Sequence, residues 1–145
     1  MRPIARAMFA LLGWKARSGL GDAPGQGRRR GVRGETYAYW YLRRHGYLLV
    51  ARNYSAPGAR EEIDLVGYDG PVLAFVEVKT RSDPESEPEL AVTPEKQRFL
   101  RRAAQAFLAE RHIDDAPWRF DVLAIRGRPG RPPEVHLHKG AFRGR

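Results

Sequence analysis

Apolar positions recur with helical spacing in two parts of the chain and with the alternating spacing of strands between them. The first predicted helix runs from about Val32 to His45 and stops at Gly46. The second begins at Thr93-Pro94, an N-cap residue followed by proline at the first helical position. Its apolar stripe consists of Phe99, Leu100, Ala103, Ala104, Phe107 and Leu108. Both segments therefore predict amphipathic helices.

Strands are predicted in five stretches, and an acidic, proline-broken loop covers 83–89. The strands are Tyr47–Asn53, two between Glu61 and Ser82, Phe120–Ile125 and a short one at Val135–His138. The order α-β-β-β-α-β-β predicts an α/β fold with a mixed central sheet flanked by helices.

Charge and composition divide the chain into three parts. We predict a basic flexible segment over 1–31, a core domain over 32–126, and a basic extension with a short strand over 127–145. The first 34 residues carry eight Lys or Arg against one acid, within a net charge of +9. Basic ends on a more acidic body favour a polyanionic partner held by the arms, through Arg28, Arg29, Arg30 and Arg33. A solubilising tail is the alternative.

The chain contains no cysteine, which excludes disulfides and cysteine-ligated zinc. A cysteine-free chain fits the reducing cytoplasm, where we expect the protein. No apolar run approaches the roughly 20 residues that span a bilayer, so we expect no membrane partner.

The dipeptide Asp69-Gly70 predicts a two-residue hairpin turn inside the stretch 61–82. With that turn, Asp64 faces Phe75 across the hairpin and Glu62 faces Glu77. The side chains of neighbouring strand residues point to opposite faces, so each strand has one polar and one apolar face.

The polar face of this hairpin carries Glu62, Asp64, Glu77 and Lys79. The other face carries Ile63, Leu65, Ala74, Val76 and Val78. Three carboxylates and one ammonium on a shared face suit Mg²⁺ or Mn²⁺, which prefer oxygen ligands and keep positions open for water and phosphate. The alternative is a solvated ion pair between Glu77 and Lys79 on an exposed sheet face.

The second helix adds further candidates on both of its sides. Lys96 lies on the inward side, three and four residues before the stripe positions Phe99 and Leu100. Arg98, Arg101 and Arg102 lie opposite, where they would form a phosphate track or a plain solvated helix face.

These segments resemble the Asp…Glu-x-Lys core of restriction-endonuclease-like nucleases and, more closely, the bacterial family called YraN-like or UPF0102. The resemblance runs from Gly34 to Ile125. It rests on GETYAYWYL, GYLLVARNY, EIDLV, FVEVKTRS, PEKQRFLRRAAQAFL and RFDVLAI in this order. It implies an αβββαβ core with sites like those of archaeal Holliday-junction resolvases.

The resemblance also implies a role for each site residue. Asp64 and Glu77 would bind the metal together with the Val78 carbonyl, and Lys79 would serve the attacking water. Glu35 would reach the site from the first helix. By the same likeness, Lys96 would contact phosphate and Glu62 would be accessory, and a homodimer would cut two strands symmetrically. The family commonly has glycine where this chain has Glu61.

The function we expect is that of a Mg²⁺- or Mn²⁺-dependent endonuclease hydrolysing DNA phosphodiester bonds, with branched or recombining DNA as the substrate that the resemblance suggests. The alternative is a non-catalytic nucleic-acid-binding adaptor that retains the nuclease fold.

Overall fold

The computed structural model describes residues 26–81 and 92–144, with side chains described from residue 34 onward. Two helices and five strands follow in the order predicted from the sequence. They are helix α1 (Gln26–Arg44), strands β1 (Leu48–Tyr54), β2 (Ile63–Asp69) and β3 (Val72–Arg81), helix α2 (Pro94–Glu110), and strands β4 (Trp118–Arg128) and β5 (Arg131–Phe142). Neither helix within these residues is long and apolar enough to cross a membrane.

All five strands form one sheet in the order β1-β2-β3-β4-β5. Neighbouring strands are antiparallel except β3 and β4, which are parallel. Two parallel neighbours require a crossover connection, and α2 lies in that connection. The structure confirms the predicted α/β fold with a mixed sheet flanked by helices.

Each helix covers one face of the sheet with its own apolar cluster. The α1-side cluster contains Ala38, Leu42, Tyr47, Leu65, Ala74, Val76, Leu123 and Ile125. The α2-side cluster contains Ile63, Val66, Leu73, Phe75, Leu100, Ala103, Ala104, Phe107 and Phe120. The apolar face predicted for the hairpin is confirmed at Leu65, Ala74, Val76 and Val78, which meet α1. It is wrong at Ile63, which packs with the α2-side cluster at the very start of β2.

The hairpin turn lies at Gly70-Pro71, one residue later in the chain than the predicted turn at Asp69-Gly70. The predicted position of the turn is therefore wrong. Asp69 pairs with Val72 and Leu65 pairs with Val76. Asp69 stays in the strand because its carboxylate accepts hydrogen bonds from Arg119 Nη2 at 2.6 Å and Lys139 Nζ at 2.8 Å. Gly70 takes the positive φ of +58° that the turn needs.

This shift moves the strands by two residues relative to each other, which preserves the faces. Continued past the pair of Leu65 with Val76, the register sets Asp64 beside Glu77 rather than opposite Phe75. The predicted facing of Glu62 with Glu77 is also wrong, since Glu62 lies before the first residue of β2. The two central carboxylates therefore become closer neighbours than the sequence indicated.

Several element boundaries also differ from the prediction. Helix α1 begins at Gln26, six residues before Val32, and includes part of the segment predicted to be a flexible linker. The last two strands are longer than predicted, because they form an extended antiparallel hairpin with each other.

A buried carboxylate, Asp121, lies on β4 beside Val76 of β3, where sequence reasoning placed no charge. Asp121 is 0% exposed. Its Oδ2 accepts the Tyr47 hydroxyl at 2.8 Å, while its Oδ1 accepts Arg119 Nε at 2.8 Å and the Gly140 N–H at 3.0 Å. Every oxygen of the buried charge is therefore paired, which is the condition under which a buried ion is tolerated. We interpret this cluster as structural.

Helix α1 lies close against β3 at Gly34, one residue before Glu35. A Cβ added at Gly34 would lie 2.1 Å from Thr80 Cγ2, far inside van der Waals contact. Thr80 is β-branched and cannot easily turn its methyl away. The absence of a side chain at position 34 therefore sets how near α1 comes to the sheet, and with it the position of Glu35.

We expect Gly34→Ala to destabilise the protein by about 1–3 kcal/mol, despite the higher helix propensity of alanine, because the new methyl overpacks the α1–β3 contact. Thr80→Ser removes the opposing methyl and should restore most of that loss in the double variant. Denaturant unfolding of the four proteins measures the coupling. Simple additivity of the two changes would show that the contact is not the cause.

Candidate metal centre

The candidate site begins where β2 and β3 separate. The ladder between the two strands ends at the pair Leu65 and Val76, while β3 continues alongside β4 to Arg81. Beyond that point the Val78 N–H donates to Asp64 Oδ2 at 2.7 Å. A carboxylate thus replaces the backbone acceptor that a continued ladder would supply. In an extended strand the carbonyl of a residue points to the same edge as its N–H, so the Val78 carbonyl also faces this gap.

Asp64 is held in an environment that disfavours its charge. Burial, followed by the neighbouring Glu77 carboxylate, raises the pKa of Asp64 to about 8 from 3.8. The hydrogen bond from the Val78 N–H opposes this rise without cancelling it. Asp64 also shares a side-chain hydrogen bond with Glu35. Two carboxyl groups can hydrogen-bond to each other only when one of them carries a proton, so the pair stores a proton at neutral pH.

Glu77 is the second central carboxylate, and one of its oxygens lacks a partner. Its side chain is 15% exposed. Glu77 Oε2 is buried and makes no hydrogen bond among the described residues. Burial raises the pKa of Glu77, although Lys96 and Lys79 favour its charged form. A buried carboxylate oxygen without a donor is costly, and a bound cation would satisfy it.

Lys96 joins the site from the first turn of α2. Thr93 caps this helix, and its Oγ1 accepts the Lys96 N–H at 3.2 Å, which fixes where the lysine emerges. Lys96 Nζ lies 3.7 Å from Glu77 Oε1 and 3.3 Å from Glu61 Oε2. Burial lowers the pKa of Lys96, but the nearby carboxylates Glu77, Glu61 and Asp64 outweigh it and raise that pKa overall.

Lys79 lies two residues after Glu77 on β3 and therefore on the same face of the strand. Its charge lowers the pKa of Glu77, so its ammonium group lies within electrostatic reach of that carboxylate. Glu77 consequently has one lysine from its own strand and one from α2.

Glu35 reaches Asp64 from α1 and is the third carboxyl group of the site. Burial raises the pKa of Glu35, and the Glu62 charge adds to the rise. The hydrogen bond with Asp64 and the positive charge of Arg52 act in the opposite direction. Glu62 itself is exposed and precedes β2, so it acts on the site only through its charge.

The structure therefore brings together Glu35, Asp64, Glu77, Lys79 and Lys96. Of the predicted arginines, the three on α2 make no described contact with this group. Arg98 and Arg102 are exposed on α2. Arg101 bonds to the Arg143 carbonyl at 2.9 Å and to Gln97 Oε1 at 3.1 Å.

The remaining predicted arginines lie in the first part of α1. Arg28, Arg29, Arg30 and Arg33 belong to the residues whose side chains are not described, so their predicted role in nucleic-acid binding stays a prediction.

Sequence reasoning missed two contributors to the site. Glu61, noted only as a departure from the family glycine, forms the ion pair with Lys96. Arg52, whose charge acts on Glu35, was given no role in the site. The period-two pattern of β1 could not have indicated Arg52, because only the register shift between Leu49 and Ala51 brings it to the α1 face that Leu49 occupies.

Across the described ranges, no three His, Cys, Asp or Glu side chains are arranged as a ready metal site. The candidate donors are instead two carboxylates, Asp64 and Glu77, and the Val78 carbonyl between them in the gap. Mg²⁺ is commonly held by one or two carboxylates with waters and substrate phosphate completing the shell. The donor set fits such an ion.

The sequence profile of "Uncharacterised protein family UPF0102" matches residues 34–125. The matched range includes the five side chains that the site brings together, which are Glu35, Asp64, Glu77, Lys79 and Lys96. The chain belongs to the UPF0102 family. The mixed five-stranded sheet with two helices is a restriction-endonuclease-like α/β fold.

Curated UPF0102 proteins resemble the chain over most of its length. A UPF0102 protein of Geobacter sulfurreducens is 44% identical over 124 residues, covering 85% of this chain and 95% of the relative. One of Koribacter versatilis is 40% identical over 116 residues, covering 79% of each chain. One of Chlorobaculum parvum is 46% identical over 121 residues, covering 77% of this chain and 90% of the relative.

We expect Asp64→Asn to raise the melting temperature of the metal-free protein, and to do so more at pH 8 than at pH 4. Folded Asp64 holds its proton up to a pKa of about 8, whereas the unfolded group loses it near 3.8. Wild-type stability from this group is therefore fully present below pH 4 and falls as pH rises towards 8. Asparagine keeps the acceptor for the Val78 N–H and has no such loss.

Thermal unfolding across this pH range, with chelator present, measures the difference between the two proteins. Asp114→Asn is the matched control, because Asp114 is an exposed aspartate in the loop after α2. A difference between wild type and Asp64→Asn that stays constant with pH would contradict a raised Asp64 pKa.

Proposed function

We propose that this UPF0102 protein hydrolyses phosphodiester bonds of nucleic acid, with DNA as the substrate and Mg²⁺ or Mn²⁺ as the cofactor. The observation that carries the proposal is the pair of buried carboxylates, Asp64 and Glu77, next to an unpaired buried oxygen on Glu77. Two like charges in a buried position oppose folding unless a cation joins them. A divalent ion at this gap would offset that cost.

The lysines distinguish this site from a simple cation store. Lys79 and Lys96 approach Glu77 from β3 and α2, so positive charge flanks the carboxylates on two sides. Positive groups beside a divalent ion weaken the binding of that ion, so they are unfavourable in a site that only stores metal. They stabilise the negative charge that develops on a phosphate during hydrolysis.

Each side chain then has a definite task in the proposed reaction. Asp64, Glu77 and the Val78 carbonyl would hold the ion, which when bound supplies charge stabilisation at phosphorus and a more acidic water. Lys79 would orient the attacking water or stabilise the developing negative charge. Glu35 would keep Asp64 in place and take part in releasing the shared proton when the ion enters.

Lys96 would contact the phosphate that is being cleaved. In the ligand-free arrangement it is shared between Glu77 and Glu61. Glu61 is the more exposed of these partners, with 52% of its side chain accessible, so that ion pair is the weaker one to break. Lys96 can thus turn to a phosphate while still neutralising Glu77.

A non-catalytic adaptor that retains the nuclease fold is the competing proposal. In such a protein the clustered carboxylates would weaken nucleic-acid binding, because carboxylates repel phosphate unless a cation lies between them. The two proposals differ in whether affinity for DNA depends on the divalent ion.

We expect Asp64→Asn to abolish both Mn²⁺ binding and cleavage, because it removes a ligand charge while keeping the size of the side chain. Lys79→Ala should retain Mn²⁺ binding but lose cleavage by about 10²-fold or more, as when a positioned electrostatic or proton-handling group is removed. Calorimetry with Mn²⁺ and digestion of single-stranded, duplex, flap and four-way DNAs provide the two readouts. Asp114→Asn serves as the control for loss of one carboxylate.

The metal-centre proposal fails if wild type binds Mn²⁺ no better than Asp64→Asn. If Mn²⁺ binds but none of the four DNAs is cut, the adaptor is favoured instead.

We also expect Lys96→Ala to reduce cleavage more than Arg102→Ala does. Lys96 contacts Glu77, whereas Arg102 is an exposed residue on the other side of α2. Initial rates at saturating Mn²⁺ give the comparison, and each variant removes one positive charge from the same helix. Equal rate losses would show that Lys96 acts only through the general field of the helix.

A further inference from the structure

Trp40 lies in an aromatic run on α1 but packs against neither core cluster. Its neighbours Tyr37, Tyr39 and Tyr41 pack against the α1-side cluster. The Trp40 ring is half-buried and meets the Tyr39 ring edge-on, with 5.2 Å between the centroids. Its indole N–H donates to no residue in the described part of the chain. Core packing explains the three tyrosines and leaves the tryptophan unexplained.

Two exposed arginines lie against these rings. The Arg43 guanidinium is 5.3 Å from the Trp40 centroid and 5.8 Å from the Tyr39 centroid. The Arg52 guanidinium is 4.8 Å from the Tyr39 centroid on the other side. Neither arginine forms an ion pair with a carboxylate among the described residues. The ring contacts hold both charges at the surface, with their hydrogen-bonding groups available to a ligand.

This group, the Trp40 platform (Tyr39, Trp40, Arg43 and Arg52), adjoins the candidate metal centre. Tyr39 lies one helical turn, about 6 Å along the axis, after Glu35. Arg52 pairs across the sheet with Leu65, the neighbour of Asp64, and its charge acts on Glu35. Through Tyr39 and Arg52, the platform therefore lies beside Glu35 and the start of β2.

We infer that the Trp40 platform binds an unpaired nucleotide, with its base stacked on Trp40 and its phosphate on Arg43, the arginine that contacts the Trp40 ring. The inference rests on the proposed function, since it assigns the substrate class of that site. In a duplex, both faces of each internal base are covered by its neighbours, so away from a duplex end only an unpaired base can offer a face to an aromatic ring. The geometry thus points to DNA with single-stranded character beside the cleaved bond, such as a fork or flap.

The test compares binding of two labelled DNAs, a blunt duplex and a fork with the same duplex and one unpaired arm. Fluorescence anisotropy with Mn²⁺, on DNAs whose phosphodiester bonds are replaced by non-hydrolysable linkages, measures affinity without hydrolysis. Trp40→Ala should weaken fork binding by about 5- to 150-fold, the usual effect of losing one stacked base, and change duplex binding less than twofold. Trp40→Phe keeps an aromatic ring and should retain most of the fork affinity. Equal weakening on both DNAs would overturn the inference.

The arginines and the DNA itself provide independent checks, which also apply if Trp40→Ala folds poorly. Arg43→Gln should weaken fork binding more than Arg102→Gln, which removes the same charge from α2. A series of forks, each with one abasic position in the unpaired arm, locates the stacked base. At one position, loss of the base should weaken binding to wild type but not to Trp40→Ala. Additive losses at every position, or equal effects of the two arginine variants, would contradict stacking on the platform.

Cleavage assays with Mn²⁺ separate this inference from the proposed function. If the fork binds in a Trp40-dependent way but is never cut, the platform stands and the nuclease proposal fails. If Asp64-dependent cleavage occurs equally on duplex and fork in wild type and Trp40→Ala, the nuclease stands and the platform fails.

Discussion

The candidate site depends on the burial of two carboxylates, Asp64 and Glu77, at the point where β2 and β3 separate. A continued ladder would have used the Val78 N–H in a backbone pair, but here that donor is bound by Asp64. The interruption turns the Val78 carbonyl towards the gap, while burial raises the pKa of Asp64 and leaves one oxygen of Glu77 without a partner among the described residues. The rest of the fold supports it: α1 brings Glu35 from one side and α2 brings Lys96 from the other.

The sheet holds its buried acids in two opposite ways. Asp121 accepts hydrogen bonds from a tyrosine, an arginine and a backbone N–H, so both of its oxygens are paired. In the candidate site, burial and the Glu77 carboxylate raise the pKa of Asp64, and one Glu77 oxygen has no partner among the described residues. The protein therefore has the means to satisfy a buried carboxylate and does so for Asp121 but not for Glu77. That contrast between a satisfied cluster and an unsatisfied one separates structural from functional acids.

Local periodicity was sufficient to predict the faces of the central hairpin except at Ile63, because an error of two residues in register leaves paired side chains on the same face. It also placed Lys96 on the inward side of α2. The turn position was wrong because Asp69 is retained in β2 by Arg119 and Lys139, which are distant in sequence. The pairing of Glu61 with Lys96 and the burial of Asp121 likewise depend on how separate elements pack. The early start of α1 was missed since its Gly- and Arg-rich beginning has no apolar period.

If the separated strands form a metal centre, entry of the ion must displace the proton that Asp64 holds at neutral pH. Titration of wild type with Mn²⁺ at pH 7, by calorimetry in two buffers of different ionisation enthalpy, measures that displacement directly. The account predicts saturable binding of one ion with release of close to one proton, because the pKa of Asp64 is about 8 before the ion binds. Absence of binding, or a heat of binding identical in both buffers, would contradict it.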